Sequence, residues 1–338
     1  MRYLKYGKSG IYVSEIALGA MTFGDRNSWK LGGLSQQTTN EMVKRAYDYG
    51  INLYDTADVY DEGESEKALG IAVKDFRDEI HIATKVRGKT GNGINNVGLS
   101  RAHISRSIKG SLKRLNTDYI DIYQFHSFDY HVPFDESMEA MQDLVERGDV
   151  FYPGVSNFTA WQMATFNAVA REKGYEHYQS AQMNYSLLNR DIEHEILPYM
   201  EHDNMTLLAW SPLHGGVLSG KYTSKIDLKP GTRMGDRGFV FPRFDEKRYP
   251  KILNEMEKVA SEQGCSVANV ALSWLRAKKV VIILGARTLE QFEENMKSVD
   301  VNLTAEQIQS LDKISEEREQ YPNWMIGRMD RGRTFETA

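Results

Sequence analysis

The sequence predicts an α/β protein built as a (β/α)8 TIM barrel, with an N-terminal β-hairpin and extra C-terminal helices. Three observations carry that expectation. Eight short apolar or β-rich runs alternate with segments of helical periodicity. No further hairpin pattern interrupts them after the first sixteen residues, which favours parallel strands closed on themselves. Ionisable side chains stand at the carboxyl ends of three consecutive strand candidates, the end of a barrel that holds its chemistry.

Residues 1–16 alternate apolar and polar around Gly7-Lys8-Ser9-Gly10, a turn signal between two short strands, and read as a hairpin plug. The strand candidates follow near 16–21, 51–55, 80–85, 119–126, 152–156, 179–184, 206–211 and 280–284. Between them the periodicity predicts helices over Thr38 to Tyr49, Glu64 to Lys74, Arg101 to Leu115, Phe134 to Arg147 and Ala160 to Lys173. The stretch 211–246 is rich in Gly, Pro and charge and lacks periodicity, so it reads as a long functional loop. Helices are expected again at Lys247 to Gln263, Val267 to Lys278 and Thr304 to about Arg318, the last with Thr304 as N-cap and Gln307 in the capping-box position. A polar, arginine-rich tail runs from 316 to 338. With no linker, repeat or low-complexity block, residues 1–338 are expected to form one domain.

Composition narrows the function classes. A chain of 338 residues that is 41% hydrophobic can bury a sizeable core. Its 42 basic and 47 acidic residues give a net charge of −5, which argues against a phosphate-backbone partner. One cysteine, Cys265, can form neither an intrachain disulfide nor a thiolate metal site. No run reaches the roughly 18 apolar residues of a membrane span, and the start Met-Arg-Tyr-Leu-Lys has no secretory core, so a reducing cytoplasmic location is expected.

The most informative segment is Tyr54-Asp55-Thr56-Ala57-Asp58-Val59-Tyr60, which closes one strand candidate. Lys85 ends the next, and His126 ends the one after. Alone, an Asp or Lys at a strand end is most often a cap or a solvated charge, a histidine beside Phe125 and Phe128 a core residue, and Tyr60 a loop aromatic. Together they would bring a carboxylate, a phenol, an amine and an imidazole to one mouth, and independent structural residues have no reason to do so.

At these residues the chain resembles the aldo-keto reductases, whose tetrad is an Asp, a Tyr five residues later, a Lys on the following strand and a His ending the strand after that. Further matches are Gly98 to Ile104, Ser111 to Leu115, Trp210-Ser211-Pro212-Leu213 and Ser219 to Tyr222. They point to the branch that holds voltage-gated potassium channel β subunits and related bacterial reductases. The resemblance implies NADPH-dependent, reversible reduction of aldehydes or ketones by hydride transfer. Tyr60 would be the general acid. A free phenol, near 10, is too weak for that work, so Lys85 would favour the phenolate and Asp55 would keep Lys85 charged and fixed. His126 would hydrogen-bond the substrate oxygen and share in proton transfer.

No Gly-x-Gly-x-x-Gly joins a strand to a helix, so a doubly wound dinucleotide fold is not expected. The resemblance implies instead that Ser156, Asn157 and Gln182 clamp the nicotinamide amide, that Trp210 stacks on its face, and that Gly19, Met21 and Asp55 lie near it. Ser211, Pro212, Leu213, Gly220, Lys221 and Arg233 would follow the pyrophosphate. Gly285, Ala286, Arg287, Gln291, Glu294 and Asn295 would receive the adenosine end, with Arg287 and Lys221 favouring a 2′-phosphate. Ala286 departs from relatives that place a polar side chain there.

Met21, Trp29, Phe128 and Tyr130, with Trp161 and the tail residues Tyr321 and Trp324, could line a substrate rim beside Tyr60 and His126. No arginine is clearly placed to grip a carboxylate, so small or aromatic aldehydes, including dicarbonyls such as methylglyoxal, are the expected class. The rival reading is an NADP(H)-binding regulatory subunit like the channel β subunits. Those carry Asn where His126 stands, which favours the enzyme. A metal-dependent hydrolase is disfavoured because neither His-x-His nor His-Glu-x-x-His is present, and no metal is expected. The resemblance also implies a homo-oligomer, a tetramer or larger.

Overall fold

The computed structural model describes residues 1–26, 28, 33–222, 235 and 241–329. Trp29, Arg233 and the tail beyond Met329 lie outside the described residues. Strands β1 (Tyr3–Lys5) and β2 (Tyr12–Ser14) form the expected antiparallel hairpin. Eight parallel strands follow: β3 (Ile16–Gly19), β4 (Leu53–Asp55), β5 (His81–Val86), β6 (Ile120–Phe125), β7 (Val150–Ser156), β8 (Ser180–Asn184), β9 (Thr206–Trp210) and β10 (Val281–Leu284). They pair in sequence order, and β10 closes the ring on β3. Each falls within two residues of a run predicted from the sequence.

The hairpin seals the amino-terminal end of the barrel. The Tyr6 hydroxyl donates to Ser180 Oγ at 2.6 Å, Gly7 N donates to Thr206 Oγ1 at 2.7 Å, and Lys8 N donates to Gln179 Oε1 at 2.8 Å. Gly7 is required there: its φ is +54°, and a Cβ would stand 2.5 Å from the Gln179 carbonyl oxygen. Tyr6 and Val13 pack onto Ala17, Leu53, Ala83, Ile122, Leu208 and Val281, an apolar cluster that fills the lower barrel. A second, larger core lies between the strands and the surrounding helices. The polar interior is thereby confined to the opposite, carboxyl end.

The helices follow their caps. Ser35 accepts from Thr38 N, so the first helix begins at Gln36, two residues earlier than the periodicity alone suggests. Arg101–Leu115 starts on Ser100 and buries Ile104, Ile108 and Leu115, the spacing of a core-facing stripe. Thr304 and Gln307 form the anticipated capping box, but that helix ends at Ile314 and not near Arg318. The reason is tertiary. Arg190 donates to the Asp312 carbonyl and Ser315 Oγ, and Arg248 captures the Ser315 and Glu316 carbonyls, so the last carbonyls are satisfied from outside the helix. The helix expected after the last strand is Leu289–Met296, on the Thr288 cap, whereas Ile196–His202, with Pro198 in its first turn, and Asn323–Met329 in the tail were not anticipated as such. No helix among the described residues is long and apolar enough to cross a membrane.

Candidate active site

Three neighbouring strands bring the site together. Asp55 is the last residue of β4, Lys85 lies near the end of β5, and His126 follows β6, its backbone N–H held by the Val86 carbonyl at 2.9 Å. Tyr60 arrives from the loop after β4. That loop is tied down by Thr56 N on the Ala83 carbonyl and Asp58 N on the Lys85 carbonyl, and Asp61 and Glu62 then turn back with positive φ.

Lys85 is fully buried, and its ammonium makes three directed contacts: to Asp55 Oδ1 at 2.7 Å, to the Thr56 carbonyl at 2.7 Å and to the Tyr60 hydroxyl at 3.3 Å. Burial alone would lower the lysine pKa. The charge of Asp55, then that of Tyr60, outweighs it and holds the pKa above its ordinary value, so the amine stays cationic. The other carboxylate oxygen, Asp55 Oδ2, accepts from Gln182 Nε2 at 2.7 Å and Gln124 Nε2 at 3.4 Å. Gln124 had no part in the sequence reading. Its signal was available, since a glutamine inside the apolar run of β6 needs a buried partner.

The Tyr60 and His126 rings meet edge to face, with centroids 5.8 Å apart. The imidazole is pushed down to about 3, chiefly by burial and then by the charges of Lys85 and Arg87. It is therefore neutral across the physiological range, a hydrogen-bonding group and not a reservoir of ionic protons.

Ser156, Asn157, Gln182 and Trp210 are brought together at the ends of β7, β8 and β9. Ser156 Oγ donates to the Gln182 carbonyl at 2.9 Å. Asn157 Nδ2 donates to the His126 carbonyl at 3.0 Å, and Asn157 Oδ1 accepts the Trp210 indole N–H at 3.1 Å. Gln182 turns its Nε2 inward to Asp55 Oδ2 at 2.7 Å. Trp210 ends β9, and Phe241 stacks on it at 6.1 Å with planes 15° apart.

Beyond β9, Ser211, His214, Gly215, Gly216 and Gly220 all have positive φ, a run of tight turns that includes Pro212 and Leu213. The Lys221 ammonium lies over Gly216, 3.0 Å from where a Cβ would stand. Gly285, Ala286 and Arg287 join β10 to Leu289–Met296, on which Gln291, Glu294 and Asn295 share a face. Gln291 Oε1 accepts from Arg287 N at 3.1 Å, and Glu294 pairs with Lys297 at 2.7 Å. Gly19 and Met21 leave β3 beside this corner, where Thr22 Oγ1 donates to the Ala286 carbonyl at 2.8 Å.

Of the rim aromatics, Phe128, Tyr130 and Trp161 do assemble: Phe128 lies 4.8 Å from Tyr130 and 6.0 Å from Trp161. Tyr321 and Trp324 pair with each other instead. Trp324 borders a separate cavity with Asp245, Arg248 and Glu316 to Glu319, which includes none of Asp55, Tyr60, Lys85 or His126.

Comparison with known proteins agrees with this architecture. Residues 15–316 match the model of the aldo/keto reductase family. The chain is 34% identical to versiconal hemiacetal acetate reductase of Aspergillus parasiticus, covering 93% of this chain and 96% of that protein. It is 35% identical to aldo-keto reductase YhdN of Bacillus subtilis, with 94% of each chain covered, and 34% identical to the uncharacterized oxidoreductase YrpG of the same organism, covering 93% and 96%. With a closed parallel barrel, a lysine shared between a carboxylate and a phenol at its mouth, and these full-length similarities, the chain belongs to the aldo/keto reductase family.

Proposed function

We propose that this oxidoreductase reduces aldehydes or ketones to alcohols, reversibly, with NADPH. The observation that carries the reading is the single Lys85 ammonium bonded to both Asp55 and the Tyr60 hydroxyl. Reduced nicotinamide, when bound, supplies the hydride. Tyr60 gives its proton to the carbonyl oxygen, and the Lys85 charge meets the phenolate left behind. Asp55, hydrogen-bonded by Lys85, Gln182 and Gln124, prevents that lysine from losing its charge in a buried site. Neutral His126, its ring set edge to face with that of Tyr60, hydrogen-bonds the substrate oxygen.

The residues fit the cofactor. Asn157 locks the Trp210 indole in one orientation, leaving a flat face for a nicotinamide ring. The left-handed turns from Ser211 to Gly220 bring the Lys221 ammonium back over Gly216, a fixed positive charge suited to a pyrophosphate. Arg287, at the start of an eight-residue helix, suits a 2′-phosphate, which supports NADPH over NADH. Buried Ala286 offers no side-chain hydrogen bond to it. A single cysteine suits a reducing cytoplasm, and a homo-oligomer is the assembly we favour on resemblance.

The test is consumption of NADPH against a panel of aldehydes by the wild type and Tyr60→Phe. Turnover that disappears in the variant while NADPH still binds supports the assignment. Tight binding without turnover in the wild type would favour the regulatory reading.

A further inference from the structure

Arg87 stands two residues beyond Lys85, where β5 leaves the barrel, and it is set apart from the other arginines of the interior. Arg77, Arg114, Arg190 and Arg276 each pair with a carboxylate: Asp121, Glu66, Glu193 and Glu15. The half-buried Arg87 has no carboxylate and no side-chain hydrogen bond among the described residues, and its Nε is cut off from solvent with no acceptor. A permanently charged group with a buried unpaired donor and no counter-charge is costly, and an anion at the terminal nitrogens of the guanidinium would lower that cost.

The backbone around it is held in place. Val86 accepts from His126 N, the Arg87 carbonyl accepts from Gly98 N at 2.9 Å, and the Gly88 carbonyl faces His103 Nε2 at 3.3 Å. Gly88 is packed so closely on Val59 that a Cβ would stand 2.1 Å from Val59 Cγ1. Arg87 itself has φ +143°, a region that side-chain-bearing residues rarely adopt. A strained, pinned arginine at the mouth, near enough for its charge to be felt by the His126 ring, is built as a clamp.

Barrel order says what it clamps. Around the ring, β5 is diametrically opposite β9, the strand that carries Trp210 and the Ser211 to Lys221 turns. Lys221, the cation suited to the cofactor pyrophosphate, thus follows the strand across the mouth from Arg87, which leaves Arg87 for an anion elsewhere in the mouth.

We propose that Arg87 is the anion-recognising residue of the substrate site, and that the substrates are carbonyl compounds bearing a carboxylate. This rests on the reductase reading above and changes the expected class from neutral aldehydes to oxo acids. The planar guanidinium fork matches a carboxylate through two parallel hydrogen bonds.

The test compares 4-carboxybenzaldehyde with its neutral methyl ester, methyl 4-formylbenzoate, in the wild type, Arg87→Met and Arg87→Lys. Calorimetric titration with 4-(hydroxymethyl)benzoate gives a readout independent of turnover. The wild type is expected to prefer the acid. Arg87→Met should raise KM for the acid about 10–100-fold while leaving the ester within about twofold, and Arg87→Lys should recover part of the loss. Retained ester turnover reports an intact site. Equal losses on both aldehydes, or none on the acid, overturn the proposal, as does preference for glyceraldehyde 3-phosphate over the acid. If the wild type reduces neither aldehyde, the reductase reading falls, and the calorimetry still decides for or against Arg87.

Discussion

The barrel holds a buried ion pair at each pole, and the two are put to opposite uses. At the amino pole, Glu15 precedes β3 and accepts from Arg276 Nη2 at 3.3 Å and from Arg2 Nε at 2.7 Å. Arg276 Nη1 goes to the Ser298 and Val301 carbonyls, and Nε lies 3.2 Å from Glu15 Oε2 as an ion pair without a directed hydrogen bond. The partners are all permanent structural groups, and the pair ties the chain start, the barrel and the helix before β10 together. At the carboxyl pole, Lys85 spends one donor on Asp55 but another on the Tyr60 phenol, a group that can release a proton. An arginine that cannot deprotonate suits the first role, and a lysine presenting a compact point charge suits the second. What differs between the poles is whether the last partner of the charge can react.

Lys85→Met should break the comparison most strongly. Leaving Asp55 buried without its cation is expected to cost about 3–5 kcal/mol of stability and to abolish turnover. Denaturant unfolding and steady-state kinetics on one preparation would check both, and full activity would remove the proposed acid mechanism. Tyr60→Phe should lower kcat about 10²–10⁴-fold while urea unfolding changes little. Arg276→Met should do the reverse, destabilising by about 3 kcal/mol because Arg2 still covers Glu15, with kcat unchanged at temperatures where the variant is folded. A drop in kcat there would mean that the poles are coupled.

The pH windows of the two pairs also oppose each other. For Glu15, burial would raise the pKa, but hydrogen bonds from Arg2 and Arg276 overcome it and hold the folded value below the ordinary one. Its stabilisation is therefore present above the unfolded carboxylate range and lost as pH falls through the folded value. Lys85 has a raised folded pKa, so its stabilisation is present below the ordinary lysine range and lost as pH rises through the folded value. Unfolding free energies should lose their acid-side slope in Glu15→Gln and their alkaline-side slope in Lys85→Met; the same slope change in both would contradict this division. The smallest effect expected is Thr304→Ala, about 1 kcal/mol from the capping box, with both pairs and kcat untouched. Thermal melts beside an activity assay would set that as the scale of an ordinary local loss.

Much of this was legible before any coordinates. The β-rich runs carried their own lengths, periodicity placed helix starts at Arg101 and Ala160, and Thr304 marked another through a side chain that reaches only three residues along. Less was legible where the deciding partner was distant. The helix from Ala305 stops at Ile314 because Arg190 and Arg248 take its carbonyls. Gln182 faces Asp55, 127 residues away, and Arg87 had no part in the sequence reading because a missing partner leaves no mark on the chain.

Local chemistry thus specified the alternation of strands and helices and, through the family resemblance, the order and type of Asp55, Tyr60, Lys85 and His126. Closure of β10 on β3 decided the rest. It determined which groups lie across the mouth from one another, which donors are spent inside the barrel, and which arginine remains unpaired. Periodicity and capping act over a few residues and are written in the sequence, whereas burial and hydrogen-bond satisfaction depend on every segment that surrounds a group.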